Sequence, residues 1–137
     1  MLIMPADSKI KYFYCDLASA QSIHETAQAV RNQFGHPSIL VNNAGISHYE
    51  TILDKSDQLT EKLFKVNIVS HFTLIREYMP DMIEKNKGHI VGVASMASFA
   101  AGPGIVDYAA AKAGVLALHE GWCTWESLLF KISNIPQ

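Results

Sequence analysis

Tyr108 and Lys112 stand four residues apart, a spacing that puts both on one face of a helix. A tyrosine normally titrates near pH ~10, too high for proton transfer at neutral pH. An ammonium about 5 Å away, at an effective dielectric of about 20, favours the phenolate by about 3 kcal/mol. The pair makes physical sense as a tuned acid–base group, although the spacing alone is a weak signal in a chain with five tyrosines. Ser95 lies 13 residues upstream, and a hydroxyl there could bond a substrate oxygen beside the phenol. The tetrapeptide Asn42-Asn43-Ala44-Gly45 directly follows an apolar run and is more specific. Asparagine side chains can tie neighbouring loops together, and Ala44 and Gly45 leave room for a ligand against the backbone.

These residues need elements to hold them. Residues 9–15 (KIKYFYC) are rich in aromatic and β-branched types and predict a strand that ends at Asp16. Ser19 can cap a helix running to about Phe34, with Ile23, Ala27, Val30 and Phe34 at helical spacing. Gly35, His36 and Pro37 end it. Residues 38–41 (SILV) predict a short strand buried on both faces. A long helix follows over about 57–86. Leu59, Leu63, Val66, Ser70, Thr73 and Tyr78 track one side of it, Phe64, Ile68 and Phe72 widen its apolar face, and Pro80 kinks or splits its last turns. Gly88 opens a third strand over 89–94, and a loop containing Gly102, Pro103 and Gly104 leads to a last helix over about 106–130. Strands alternating with helices imply right-handed crossovers and a parallel α/β sheet. Ligands bind such sheets at the carboxyl ends of the strands, where Asp16, the 42–45 loop and Ser95 converge.

Composition narrows the function classes. A formal charge of −2 argues against a nucleic-acid partner, which needs a basic stripe. With 49% hydrophobic and 18% charged residues, the chain is globular rather than disordered, and 137 residues allow one domain. Cys15 and Cys123 do not make a disulfide framework, so a reduced, cytoplasmic setting is expected. The first five residues are too short for a signal peptide, and no apolar run reaches the length of a membrane span. His119 and Cys123 share a helical face, but no third ligand accompanies them and no metal is expected. His24, His36, His48, His71 and His89 read as solvated or satisfied structural groups.

Taken together, Asp16, the 42–45 tetrapeptide, Asn67, Ser95 and Tyr108-Ala109-Ala110-Ala111-Lys112 resemble the short-chain dehydrogenase/reductase family in order and spacing, over about residues 9–121. The text around them (KVNIVSHF, KGHIVGVASMAS, KAGVLALHEG) is most similar to the branch that includes retinol and hydroxysteroid dehydrogenases. The resemblance implies a Rossmann-type fold and hydride transfer between NAD or NADP and an alcohol or ketone, lipid-like substrates included. It implies Tyr108 as the acid/base and Lys112 as the group that holds the nicotinamide ribose and lowers the phenol's pKa. Ser95 would polarise the carbonyl or alcohol, and Asn67 would kink the long helix and hold a water in a proton relay. Asp16 and Leu17 would contact the adenine, while Asn43, Ala44 and Gly45 would line the adenosine ribose. The long helix and the last helix would form a homo-oligomer interface.

The chain also departs from that family. Its glycines, at 35, 45, 88, 92, 102, 104, 114 and 121, nowhere have the GxxxGxG spacing that cradles a pyrophosphate at a helix N-terminus. The expectation is therefore one truncated NAD(P)-binding domain over 1–137, a partial Rossmann-type sheet made of the family's strands 3, 4 and 5. The segment from Trp122 to Trp125 interrupts the amphipathic pattern expected there. In the order 3-2-1-4-5, the first two of this chain's strands would stand about 14 Å apart, three spacings of about 4.8 Å. The first strand would have to collapse onto its neighbour, stay frayed or pair with another chain. A non-enzymatic half-domain that keeps the catalytic residues is the alternative reading.

Overall fold

The computed structural model describes residues 10–133, with side chains as far as Gly121. Ser19 holds extended backbone and its hydroxyl accepts from Ser22 N, so the chain enters helix α1 (Ala20–Phe34) through a side-chain cap. Gly35 ends α1 at φ 78°, a left-handed conformation that costs glycine little, with its N–H bonded to Arg31 O. Strand β1 (Ile39–Asn42) follows, one residue later than expected at each end.

The long helix is three elements in one. Ser56 caps α2 (Asp57–Phe64), a π-helical turn spans Lys65–Val69, and α3 (Ser70–Glu84) continues beyond it. A π turn inserts one residue into the helical count. Regular continuation from Leu63 would bury positions 70, 74, 77 and 81. Downstream of the turn Ser70 is still buried, but the row then runs through His71, Ile75, Tyr78 and Met82, shifted by one. That shift explains why Phe72, expected on the apolar face, is 41% exposed. Pro80 does not split the helix, which runs on past it to Glu84.

Strand β2 (His89–Gly92) pairs in parallel with β1, in a register running from Ile39 against His89 to Asn42 against Gly92. A last ladder bond joins Val93 N to Asn42 O at 3.0 Å. Helix α4 (Val106–Ser133) completes the described chain. The fold is α/β with a parallel sheet, as expected, but among the described residues the sheet has two strands rather than three.

The expected first strand is the correction. Described residues 10–15 join no sheet. They lie along α1 instead: Thr26 Oγ1 donates to Tyr14 O at 3.1 Å, and the Phe13 and Phe34 rings meet edge to face at 6.3 Å. Strand propensity cannot supply hydrogen-bond partners, and a segment without an adjacent strand makes side-chain contacts with the nearest helix. The same gap corrects the expected two-sided burial of residues 38–41. Ile39 and Val41 are exposed, because no described element covers their face.

Among the described residues two clusters form the core. Leu63, Ile68, Ala111 and Val115 lock α4 against the π turn, with Ile46, Ala94 and Tyr108 packed around them. Ala27, Tyr78 and Met82 join α1 to α3, with Leu40 and Ile90 of the sheet against them. Arg31 and His24 reinforce that second contact by pairing with Glu77 at 2.9 and 3.0 Å. Leu63 is completely buried at the α2–α4 contact. Leu63→Ala is expected to destabilise the chain by about 2–5 kcal/mol, read as a lower urea midpoint with an unchanged denaturant slope.

Candidate functional site

The site is built around Asn67, the middle residue of the π turn, which is 0% exposed. Its Oδ1 accepts from Ile46 N and its Nδ2 donates to Ile46 O, each at 2.8 Å. One amide side chain therefore satisfies both backbone groups of the residue after the 42–45 loop. Buried backbone groups need such partners, and this loop has no strand beside it to provide them. Gly45 is brought so close that a Cβ built on it would lie 3.4 Å from Asn67 Oδ1 and 3.8 Å from Lys112 Nζ.

Lys112 is 3% exposed, and its Nζ donates to Val93 O at 2.6 Å. The ammonium thus takes the carbonyl of the residue immediately beyond β2, at the carboxyl end of the sheet. It also lies 5.9 Å from the centre of the Tyr108 ring, one helical turn back. Tyr108 is half-buried against the Leu63–Val115 cluster, which Ala94 also contacts. Ser95 follows Ala94 and caps a short 3₁₀ turn, Met96–Ser98, that packs against α4. The Ser95 hydroxyl accepts from Ala97 N at 3.1 Å, and Ser95 N donates to Ser98 Oγ at 3.3 Å.

The structure thus gathers Asn67, Gly45, Lys112 and Tyr108, with Ser95 on the turn against the same helix. Asn43 and Ala44 are exposed on the loop that Asn67 holds. Asp16 and Leu17 sit apart from that group, in the turn that enters α1. Asp16 Oδ1 accepts from Ala18 N, its N–H donates to Ser22 Oγ, and its carbonyl accepts from Ser19 N. Asn42 ties no loops together. It is 3% exposed, and neither atom of its amide has a hydrogen-bond partner.

Sequence reasoning missed two features. The π turn is one, although its trace is the one-residue phase shift between Leu63 and His71. The other is a contact between the buried His71 and the half-buried His119. His24 and His36 are satisfied by Glu77 and Asp81, as expected. His71 is neither solvated nor satisfied: it is 1% exposed, its Nδ1 has no partner, and its ring meets His119 edge to face at 6.5 Å. His119 Nε2 is likewise unpaired and packs on Gly92, where a Cβ would overlap the ring. Burial, then the charge of Lys112, then His119 push the His71 pKa down to about 4. Burial also lowers that of His119. Cys123, which shares a helical face with His119 in the sequence, has its side chain outside the described residues.

The chain is similar to known proteins over most of its length. Residues 3–124 match the short chain dehydrogenase family, and the chain belongs to that family. It is 46% identical over 110 residues to dehydrogenase RED3 of Cochliobolus heterostrophus, covering 80% of this chain and 56% of that protein. To human retinol dehydrogenase 10 it is 39% identical over 108 residues, 79% of this chain and 32% of that one. The chain therefore spans about half the length, or less, of these relatives. A metagenomic short-chain oxidoreductase solved in complex with NADP superposes with a TM-score of 0.77 at 28% identity, over 82% of this chain and 51% of that one. An NAD+-bound xylitol dehydrogenase gives 0.71 at 28%, over 77% and 41%.

A histidine whose folded pKa lies below its unfolded value of 6.5 favours the native state while neutral. That contribution is complete above pH 6.5 and is lost as the pH falls through about 4. Urea unfolding at pH 7 and pH 4 should show wild type losing about 3 kcal/mol more than His71→Met.

Proposed function

We propose that this chain carries the acid–base part of an NAD(P)-dependent oxidoreductase site acting on an alcohol or ketone. In this reading Tyr108 exchanges the proton with the substrate oxygen and Ser95 bonds that oxygen. Lys112 holds the nicotinamide ribose and supports the phenol electrostatically, and Asn67 holds the loop and a relay water. Asp16 and Leu17 serve the adenine, and Asn43, Ala44 and Gly45 the adenosine ribose. NAD or NADP, when bound, supplies the hydride chemistry. The observation that carries the proposal is the clamp from Asn67 to Ile46, which brings Gly45, Lys112 and Tyr108 together at the carboxyl edge of the sheet.

The residues fit the two ends of such a dinucleotide better than its middle. Gly45, close to Asn67 and Lys112 with no side chain of its own, leaves backbone open to a sugar. No glycine turn of the required spacing is present for the pyrophosphate. The single domain over 1–137 is proposed on the same basis, as a partial NAD(P)-binding unit. Exposed apolar side chains stand at Tyr49, Ile52 and Leu53, on the segment bonded to the entrance of α4, and at Met96 and Phe99, in and after the 3₁₀ turn that packs on α4. They favour an apolar substrate of lipid, retinoid or steroid type over a sugar. A homo-oligomer through the long helix and α4 belongs to the same proposal, as does a cytoplasmic setting. Among the described residues no helix is long and apolar enough to cross a membrane.

The buried, unpaired amide of Asn42 favours a second reading. Its partner is not among the described residues, and with no glycine turn of the required spacing in this sequence, this chain by itself would hold the catalytic cluster without binding cofactor tightly or turning over.

Steady-state kinetics on a medium-chain secondary alcohol, with NAD and NADP titrations, separates the assignments. Tyr108→Phe is expected to lower kcat by about 10²–10⁴-fold with cofactor affinity nearly unchanged. Lys112→Met should damage both. Equal losses of affinity in the two variants would contradict the assigned roles. Isothermal titration of the unsubstituted chain decides the second reading, which predicts weak or absent binding of both dinucleotides.

A further inference from the structure

Lys55 and Asp107 form an ion pair across 52 residues of sequence, at 2.8 Å, with side chains only 4% and 10% exposed. Neither residue belongs to the cluster around Asn67. Lys55 lies at the end of the segment that leaves the Asn67-clamped loop. There Thr51 Oγ1 donates to Asp54 Oδ2, and Lys55 N donates to Thr51 O, closing a turn that presents the lysine. Its Nζ also donates to His48 O at 2.9 Å, so the same ammonium holds the start of that segment. Two further contacts lash the segment to the entrance of α4: Glu50 N donates to Gly104 O at 3.0 Å, and the Tyr49 ring lies where any side chain at position 104 would have to go.

Asp107 is the residue before Tyr108, and its Oδ1 accepts from Tyr108 N at 2.8 Å. Tyr108 N–H is one of the first N–H groups of α4, which have no carbonyl a turn earlier to bond. The carboxylate oxygen that receives Lys55 is thus the oxygen that holds the Tyr108 backbone. The other oxygen, Oδ2, is buried with no partner. A buried pair that leaves one carboxylate oxygen unbonded is poorly arranged for stability alone, because desolvating the charge is costly. It is well arranged to fix one atom in place.

We propose that the Lys55–Asp107 pair is a positioning device for Tyr108. The strap of residues 48–55 sets the first turn of α4, and with it the phenol, against the loop held by Asn67. Lys55 and Asp107 are positioning residues, not catalytic ones. The role rests on reading Tyr108 as the acid/base.

The test uses the full chain with Lys55→Met, Lys55→Arg and Asp107→Asn, and two readouts. Amide hydrogen exchange at Tyr108 in Lys55→Met is expected to speed up by about tenfold while Ala27 in α1 keeps its protection. Lys55→Arg should restore most of the protection. In alcohol oxidation, Lys55→Met should lower kcat by about 10- to 100-fold with the cofactor KM within about twofold. A misplaced reacting group gives that pattern, whereas weakened cofactor binding would raise KM. Asp107→Asn keeps the acceptor for Tyr108 N and discards the charge, so it should give the same pattern in weaker form. Wild-type exchange at Tyr108 in both Lys55→Met and Asp107→Asn would overturn the proposal. Equal acceleration at Tyr108 and Ala27 would also overturn it, because the pair would then act on global stability alone. If Tyr108→Phe keeps wild-type turnover, the acid–base assignment falls, and the exchange measurements still decide whether the pair fixes the turn.

Discussion

The arrangement of the site depends on one side chain satisfying one residue's backbone. Ile46 leaves the sheet where no neighbouring strand can take its N–H and C=O, and Asn67 takes both. Asn67 lies four residues beyond the buried Leu63, on the same inward face of the helix, and so points at them. The π turn over Lys65–Val69, with Asn67 at its centre, shifts the row that follows by one residue. Everything downstream then follows the shifted row, including the burial of His71 and the exposure of Phe72.

From that clamp the rest can be built outward. The loop it holds brings Gly45 near Lys112, and Lys112 closes the end of β2 through Val93 O. The helix carrying Lys112 is pressed on the π turn by Leu63, Ile68, Ala111 and Val115. Against it, burial and the nearby ammonium push the His71 pKa down, and burial lowers that of His119 on the helix itself. A strap from the same loop returns to the first turn of α4 and ends in the Lys55–Asp107 pair. The tyrosine is thus approached from both sides by segments that begin at the clamp.

Much of this was legible in the residues. Helix α1 with its Ser19 cap, the two paired strands, and the shared helix of Tyr108 and Lys112 all follow from local periodicity and capping, which act over a few residues. What failed was non-local. Residues 10–15 have strand composition, but a strand exists only where another offers hydrogen bonds, and here α1 is the nearest surface. Val41 looked buried because its neighbours in sequence are apolar, yet burial depends on a covering element. The Asn67 clamp could be guessed only as a helix kink, since the two groups it satisfies lie 21 residues away in a loop with no pattern of its own. Lys55 and Asp107 carried no signal at all, being two ordinary charges until the chain brought them together.

The clamp itself is the claim to test first. Asn67→Leu keeps the branching and heavy-atom count of the side chain and removes both hydrogen bonds, and Asn67→Asp keeps only the acceptor for Ile46 N. Amide exchange measured by NMR should show the Ile46 N–H losing protection in Asn67→Leu and retaining much of it in Asn67→Asp. Chemical-shift changes in Asn67→Leu should extend to Gly45 and Lys112 but not to Ala27. An Ile46 amide as protected in Asn67→Leu as in wild type would mean that something else holds the loop, and that the site is not organised around Asn67.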